Sequence, residues 1–173
     1  MEEAQPRLIV ADAGPLIVLS RMGELALLPR VFGRVCITQV VHGEVFGGGS
    51  FPGQGAIADA LSDWLYVEQV DLDDWAPLNP DIDPGEASSI CLAERHDDSL
   101  LIIDDRAGRQ EAAARGLRFV GLVGVLREAK LGGFIPLLRP LLEGLRGSGY
   151  FLSDELTQKV LTMVGEGEAA SGE

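Results

Sequence analysis

The chain has 173 residues and a formal net charge of −13, which excludes the globally basic footprint usual in nucleic-acid binders. Its apolar fraction of 46% and aromatic fraction of 6% are those of an ordinary globular protein, and no apolar run approaches the roughly 20 residues that cross a bilayer. The first ten residues, "MEEAQPRLIV", lack a basic segment followed by a long apolar one, so no secretory signal is expected. Cys36 and Cys91 sit in apolar segments without metal-ligand spacing and are expected as buried free thiols in a reducing, cytoplasmic setting.

Taken in chain order, "RLIVA" (7–11) predicts a fully buried strand that ends at Asp12, where Gly14 and Pro15 are expected to turn the chain. Helical spacing follows over 14–33, broken near Gly23 and stopped around Pro29 and Gly33. "RVCI" (34–37) is a second strand, and Thr38 is placed to cap a helix over 39–46. A glycine-rich loop (47–55), a short helix near 56–63 and a strand within 64–70 come next. After a polar, proline-containing connection (71–81), Asp83 and Pro84 open a helix over 84–96. "SLLIID" (99–104) is another buried strand, followed by a helix over 106–116 and a short strand over 118–122. Helices are expected at 122–131, at 138–146 with Pro140 in the first turn, and at 154–164 behind Ser153. The expected organisation is one domain over 1–164, with a C-terminal helical appendage at about 136–164 and a frayed tail at 165–173. Continuous apolar strands alternating with helices imply an α/β fold: a parallel sheet covered on both faces.

Ligands of open parallel sheets bind outside the carboxyl ends of the strands. Asp12 ends the first strand, and Asp104 and Asp105 end "SLLII". Glu44 lies on the helix after the second strand, and Glu86 opens the helix before "SLLII". Carboxylates converging on one cleft repel one another unless some protonate or a cation sits among them. Hard cations such as Mg²⁺ or Mn²⁺ take such all-oxygen sites, and a cation held there can activate water against a phosphodiester. Each acid has a blander reading. Asp12 can be a turn residue. Glu44 can sit on a solvated helix face. Glu86 stands at capping-box spacing from Asp83, and one of Asp104 and Asp105 can cap the next helix while the other faces the cleft. The weight lies in the set.

Other chemistries are poorly supported. The glycine-rich loop has no Gly-Lys-Ser/Thr ending, and His42 and His96 neighbour no nucleophile pattern. Arg106, Arg109 and Arg115 follow the Asp pair, with Arg106 and Arg109 on one helix face that can meet phosphates. Pairing with Glu111 and other surface acids competes with that role. Arg127, Lys130, Arg139 and Arg146 form a second, looser basic group.

Four stretches resemble the PIN-domain superfamily, the fold of VapC-type toxin ribonucleases, and in particular its prokaryotic PIN-like branch of unknown function. They are "VADAGPLIVLSRMGELALL", "ITQVVHGEV", "DPGEASSICLAERHDDSLLIIDDRAGRQEAAARGLRFVGLVGVLREAKLGGFI" and "RPLLEGLRGSGYFLSDELTQKVL". The third block is long and specific; the isolated acids are not. The resemblance covers roughly 8–162 and implies a three-layer α/β/α fold with a central parallel sheet and extra C-terminal helices. It also implies acids that hold one or two Mg²⁺ or Mn²⁺ ions and hydrolyse RNA. Carried over residue by residue, those acids are Asp12, Glu44, Glu86 and one of Asp104 and Asp105. The usual Thr-x-Asp-Arg pattern falls on "IDDR" and favours Asp105. Ile103 stands where that Thr or Ser is common, and Ala13 where a hydroxyl residue often follows the first Asp. The expected partners are an RNA substrate, a small antitoxin protein and a second copy of the chain, with no membrane.

Overall fold

A computed structural model describes residues 7–167. Five strands form one parallel sheet: β1 (Leu8–Ala11), β2 (Val35–Thr38), β3 (Leu65–Glu68), β4 (Ser99–Ile102) and β5 (Arg118–Val120), in the order β3-β2-β1-β4-β5. The helices are α1 (Ala13–Arg21), α2 (Leu27–Phe32), α3 (Gln39–Gly47), α4 (Gln54–Ala60), α5 (Pro84–Glu94), α6 (Arg106–Ala114), α7 (Leu122–Leu131), α8 (Arg139–Gly147) and α9 (Asp154–Met163). The arrangement is the three-layer α/β/α fold expected from the alternating pattern.

Strand side chains alternate between two cores, as period-two geometry requires. Ile9, Ala11, Ile37 and Ile102 join one apolar cluster with α1, α2, α3, α4, α7, α8 and α9. Val10, Cys36, Leu101 and Ile103 join the other with α5 and α6. Leu142, Leu145, Val160 and Leu161 of the C-terminal helices share the first cluster with β1. Cys36 and Cys91 are buried free thiols. Among the described residues no helix is long and apolar enough to cross a membrane.

Three punctuation residues act differently from the sequence expectation. Pro29 was expected as a stop, yet it sits at the third position of α2, where a missing N–H is harmless. Gly14 and Pro15 do not make a turn; they lie inside the first turn of α1, so the chain enters a helix directly after Asp12. At the other end, residues 168–173 of the expected tail lie outside the described residues. Glu166, which falls in that expected tail, is tied down. Its carboxylate accepts from the backbone N–H of Leu138 (2.6 Å) and Arg139 (3.2 Å) and approaches Lys130 Nζ at 3.6 Å. That is the anion at a helix N-terminus which orphan N–H groups favour.

Strand order positions the site. The chain leaves β1 toward β2 and β3, then returns through α5 to β4 on the far side of β1. The order therefore reverses between β1 and β4, and a crevice opens at the carboxyl ends of those two strands. Asp12 N–H donates to Ile102 O (3.0 Å), which fixes Asp12 in register beside the end of β4.

Candidate active site

Three of the chain's Asp residues occupy N-cap positions at this edge of the sheet, and they behave differently. Asp83 Oδ1 accepts from Glu86 N–H (2.8 Å), and Asp105 Oδ2 accepts from Gly108 N–H (3.1 Å). Asp12 has the extended backbone of an N-cap, but its side chain accepts no capping bond. Its residue is only 7% exposed, and Oδ1 is buried without a partner. Burial pushes its carboxyl from an ordinary 3.8 up to about 7, and the nearby charges of Asp83, Glu44 and Asp105 push the same way.

Glu86 does two things at once. It completes the capping box of α5, with Oε2 accepting from Asp83 N–H (3.2 Å). It is also buried at 5% exposure beside Asp83, Asp105 and Asp12, and burial followed by those repulsions pushes its carboxyl to about 8. The two readings open in the sequence are thus not exclusive: the cap holds the carboxylate that the acid cluster needs. Glu44 reaches the same cluster from α3. Its carboxylate lies hard against Gly85, where any Cβ would collide with it, and its pKa is raised by partial burial and by Asp83.

α5 carries this cluster because its first turn is locked. Every residue from Gly85 to Ala93 is buried. Ser88 and Ser89 hydroxyls both donate to Gly85 O (2.8 and 2.9 Å), and Ser88 Oγ meets Thr38 Oγ1 at 2.6 Å. Thr38 in turn caps α3 by accepting from Val41 N–H (3.1 Å), so one hydroxyl pair binds the helix bearing Glu44 to the helix bearing Glu86.

The structure brings Asp12, Glu44, Glu86 and Asp105 together and adds Asp83, which the sequence reading used only as a cap. The signal was present in "DPGE": an N-cap Asp and an N3 Glu necessarily share the first turn of one helix. Asp104 is set apart from this group. Its Oδ1 accepts from Leu122 N–H (3.0 Å) and Tyr150 O–H (2.7 Å), while Oδ2 is buried without a partner. Burial raises its pKa, and Tyr150, Leu122 and Arg109 partly counter that.

The basic residues also divide. Arg115 is spent on structure: it bonds Glu94 (2.7 Å) and Ala76 O (2.8 Å) and lies over the Trp75 ring at 4.3 Å. Arg146 ties Leu152 O and Asp154, Arg139 ties Glu166 O, and Lys130 ties Pro136 O. Arg106 and Arg109 are exposed beside Asp104 and form no ion pair among the described residues. His42 packs against Phe46 with ring centroids 4.8 Å apart, and His96 Nδ1 lies 3.2 Å from Leu92 O at the end of α5.

Among the described residues no three His, Cys, Asp or Glu side chains stand close enough to form a ready metal-binding group. The donor chemistry nonetheless fits a hard cation. The donors are all carboxylate oxygens, two of the acids have strongly raised pKa values, and one oxygen is buried without any protein partner. A comparison with family models matches residues 8–166 to DUF3368, described as a PIN domain. No curated protein matches the chain.

Proposed function

The chain belongs to the PIN-domain family, a nuclease-type fold whose members are generally metal-dependent, and from that premise we propose a Mg²⁺- or Mn²⁺-dependent endoribonuclease acting as the toxin of a toxin–antitoxin pair. The observation that carries the reading is Asp12 Oδ1, buried without a partner among other carboxylates. Such an atom is destabilising in the folded chain and is satisfied by a bound cation. Asp12, Glu86 and Asp105 are the residues assigned to hold it, with Glu44 completing the set from α3. When bound, a divalent cation supplies Lewis-acid polarisation of the phosphodiester and an activated water.

The chain's own residues do the rest. The Asp105 and Asp83 caps fix the first turns of α6 and α5, so their carboxylates are oriented before substrate arrives. Glu86 is oriented by its bond from Asp83 N–H, a bond that leaves its other oxygen outside the capping box. Exposed Arg106 and Arg109 meet the phosphates that flank the scissile bond. The overall charge of −13 is then partly the signature of the cation site. RNA is the assigned substrate class, a small antitoxin protein and a second copy of the chain are the assigned partners, and the cytoplasm is the assigned setting.

A PIN-like binding module with weak or no catalysis is the second reading. It is favoured by Ile103, fully buried in the apolar core at the position where the resemblance leads one to expect Thr or Ser. Hydrolysis of a mixed RNA pool in Mg²⁺ or Mn²⁺ decides between them. Wild type is expected to cleave, and Asp12→Asn and Asp105→Asn to lose cleavage. Equal activity in all three would trace the signal to contamination and end the nuclease reading.

A further inference from the structure

Asp83 caps α5, but capping does not account for its charge. Its Oδ1 accepts from Glu86 N–H (2.8 Å), and its Oδ2 has no hydrogen bond or ion pair among the described residues. Asn and Ser cap a helix as well as Asp does. The dipole of α5 favours a negative charge here only modestly, and the neighbours oppose it. After burial, Asp83 is the foremost neighbouring charge that raises the pKa of Asp12, of Glu44 and of Glu86. One carboxylate thus acts on three acids that come from the end of β1, from α3 and from α5. Asp83 is an exposed residue, whereas Asp12 is 7% exposed and its Oδ1 is bare. The cluster therefore runs from a solvent-facing acid to a buried one.

In the cation-free chain the Asp83 charge is a cost, because it repels three carboxylates and its Oδ2 makes no bond in return. The same charge turns favourable when a divalent cation sits among the acids. Two oxygens point to that use: Asp12 Oδ1, buried without a partner, and Asp83 Oδ2, unengaged on an exposed residue. No three of the described acids stand close enough to wrap an ion by themselves, and Mg²⁺ keeps several of its waters in such sites. We propose that Asp83 is a fifth acid of the cation site, with Oδ1 capping α5 and Oδ2 holding the ion from the solvent side through a retained water. The proposal rests on the cation site of the nuclease reading and adds to it an acid that the family resemblance does not supply. A side chain that is both cap and ligand must be Asp, where a cap alone would accept Asn or Ser.

Substitution separates the cap from the charge. Mn²⁺ is titrated calorimetrically into the full chain, and cation-free melts of the same proteins report folding. Asp83→Asn and Asp83→Ser keep a capping oxygen and lose the charge. They are expected to melt close to wild type and to bind Mn²⁺ roughly 10- to 100-fold more weakly. Asp83→Glu keeps the charge and gives up the cap geometry, so it is expected to melt lower while holding affinity within about threefold of wild type. Asp63→Asn removes the same charge from an exposed residue before the amino end of β3, at the opposite edge of the sheet, and is expected to leave affinity unchanged. Equal affinity in wild type and Asp83→Asn overturns the proposal and leaves the nuclease reading standing. Affinity that follows melting temperature instead of charge also overturns it and returns Asp83 to a cap alone. A wild type that binds no Mn²⁺ at millimolar concentration overturns the proposal together with the cation site on which it rests. Cleavage of RNA by the same wild-type protein in Mn²⁺ reports separately on the nuclease reading.

Discussion

Asp12 and Glu111 are two carboxylates that the same fold buries, at 7% and 2% exposure, and they are treated in opposite ways. Glu111 is given partners: its Oε1 accepts from Leu78 N–H (2.5 Å) and faces Arg115 Nη2 at 3.6 Å. With Trp75 and Glu94, this pin fastens the long connection after β3 onto α5 and α6. Asp12 has only the backbone N–H of Ala13 to set against burial and the neighbouring carboxylates, and its Oδ1 is left bare. Burial alone therefore says little about a charged residue's role. What separates the two is whether the protein itself supplies the compensating charge and hydrogen bonds.

The largest effect that tests this contrast is Asp12→Asn. The folded-state pKa of Asp12, about 7, lies above its ordinary 3.8, so between those pH values the folded chain holds a proton that the unfolded chain has lost. Stability therefore falls as pH rises through that window and stays reduced above it. A shift of about three units corresponds to about 4 kcal/mol as an upper limit. Glu86, raised to about 8 from 4.5, adds to the same trend. Asp12→Asn is expected to recover much of this at pH 8 while lowering RNA cleavage by roughly 100-fold or more. Denaturant melts at pH 5 and pH 8 measure it. A variant less stable than wild type at pH 8 would place Asp12 in the same class as Glu111.

Glu111→Ala should do the reverse. Removing Glu111 leaves Leu78 N–H without its acceptor and takes one of the two carboxylates from Arg115, which Glu94 and Ala76 O still hold; a loss of roughly 1–3 kcal/mol is expected, while the folded fraction retains its specific activity. Chemical denaturation with activity measured on the folded fraction checks both halves. A nearly unchanged midpoint would mean that the pin around Trp75 carries no stability.

How much of this contrast was legible before the structure follows from chain separation. β1, β2 and β4 were readable because a strand buried on both faces is a bare apolar run, and the caps at Thr38, Asp83 and Ser153 are local patterns that end or begin helices. The convergence of Asp12, Glu44, Glu86 and Asp105 was expected from strand-end logic and from resemblance. Which of Asp104 and Asp105 points where was not, because Gly121 and Tyr150, which decide it, come from β5's end and the loop before α9. The Glu111–Leu78 bond spans 33 residues and leaves no periodic trace. Pro29 misled as a stop because the helix it enters begins only two residues earlier, where proline is tolerated.

A divalent cation should erase part of the difference between the two carboxylates. Mg²⁺ or Mn²⁺ at about 100 times Kd is expected to stabilise wild type by about 2.7 kcal/mol. The effect should be larger at pH 8 than at pH 6, because binding competes with protons on Asp12 and Glu86. Thermal melts with and without cation read it, and Asp12→Asn should respond little. An equal response from both proteins would locate cation binding away from Asp12.

The smallest perturbation is Gly85→Ala, and it is the most selective. Gly85 is the second residue of α5, and a Cβ there would collide with both Glu44 carboxylate oxygens. Because Glu44 is an exposed, flexible side chain, it can swing away, and alanine suits a helix better than glycine. Folding stability should therefore change by less than about 1 kcal/mol. Glu44 would nevertheless be moved out of the acid cluster, so cation affinity, measured by calorimetry, should weaken several-fold with the melting curve almost unmoved. If affinity holds while Glu44 is displaced, Glu44 belongs with the residues whose charge the fold merely tolerates, and Asp12, Glu86 and Asp105 remain as the assigned cation ligands.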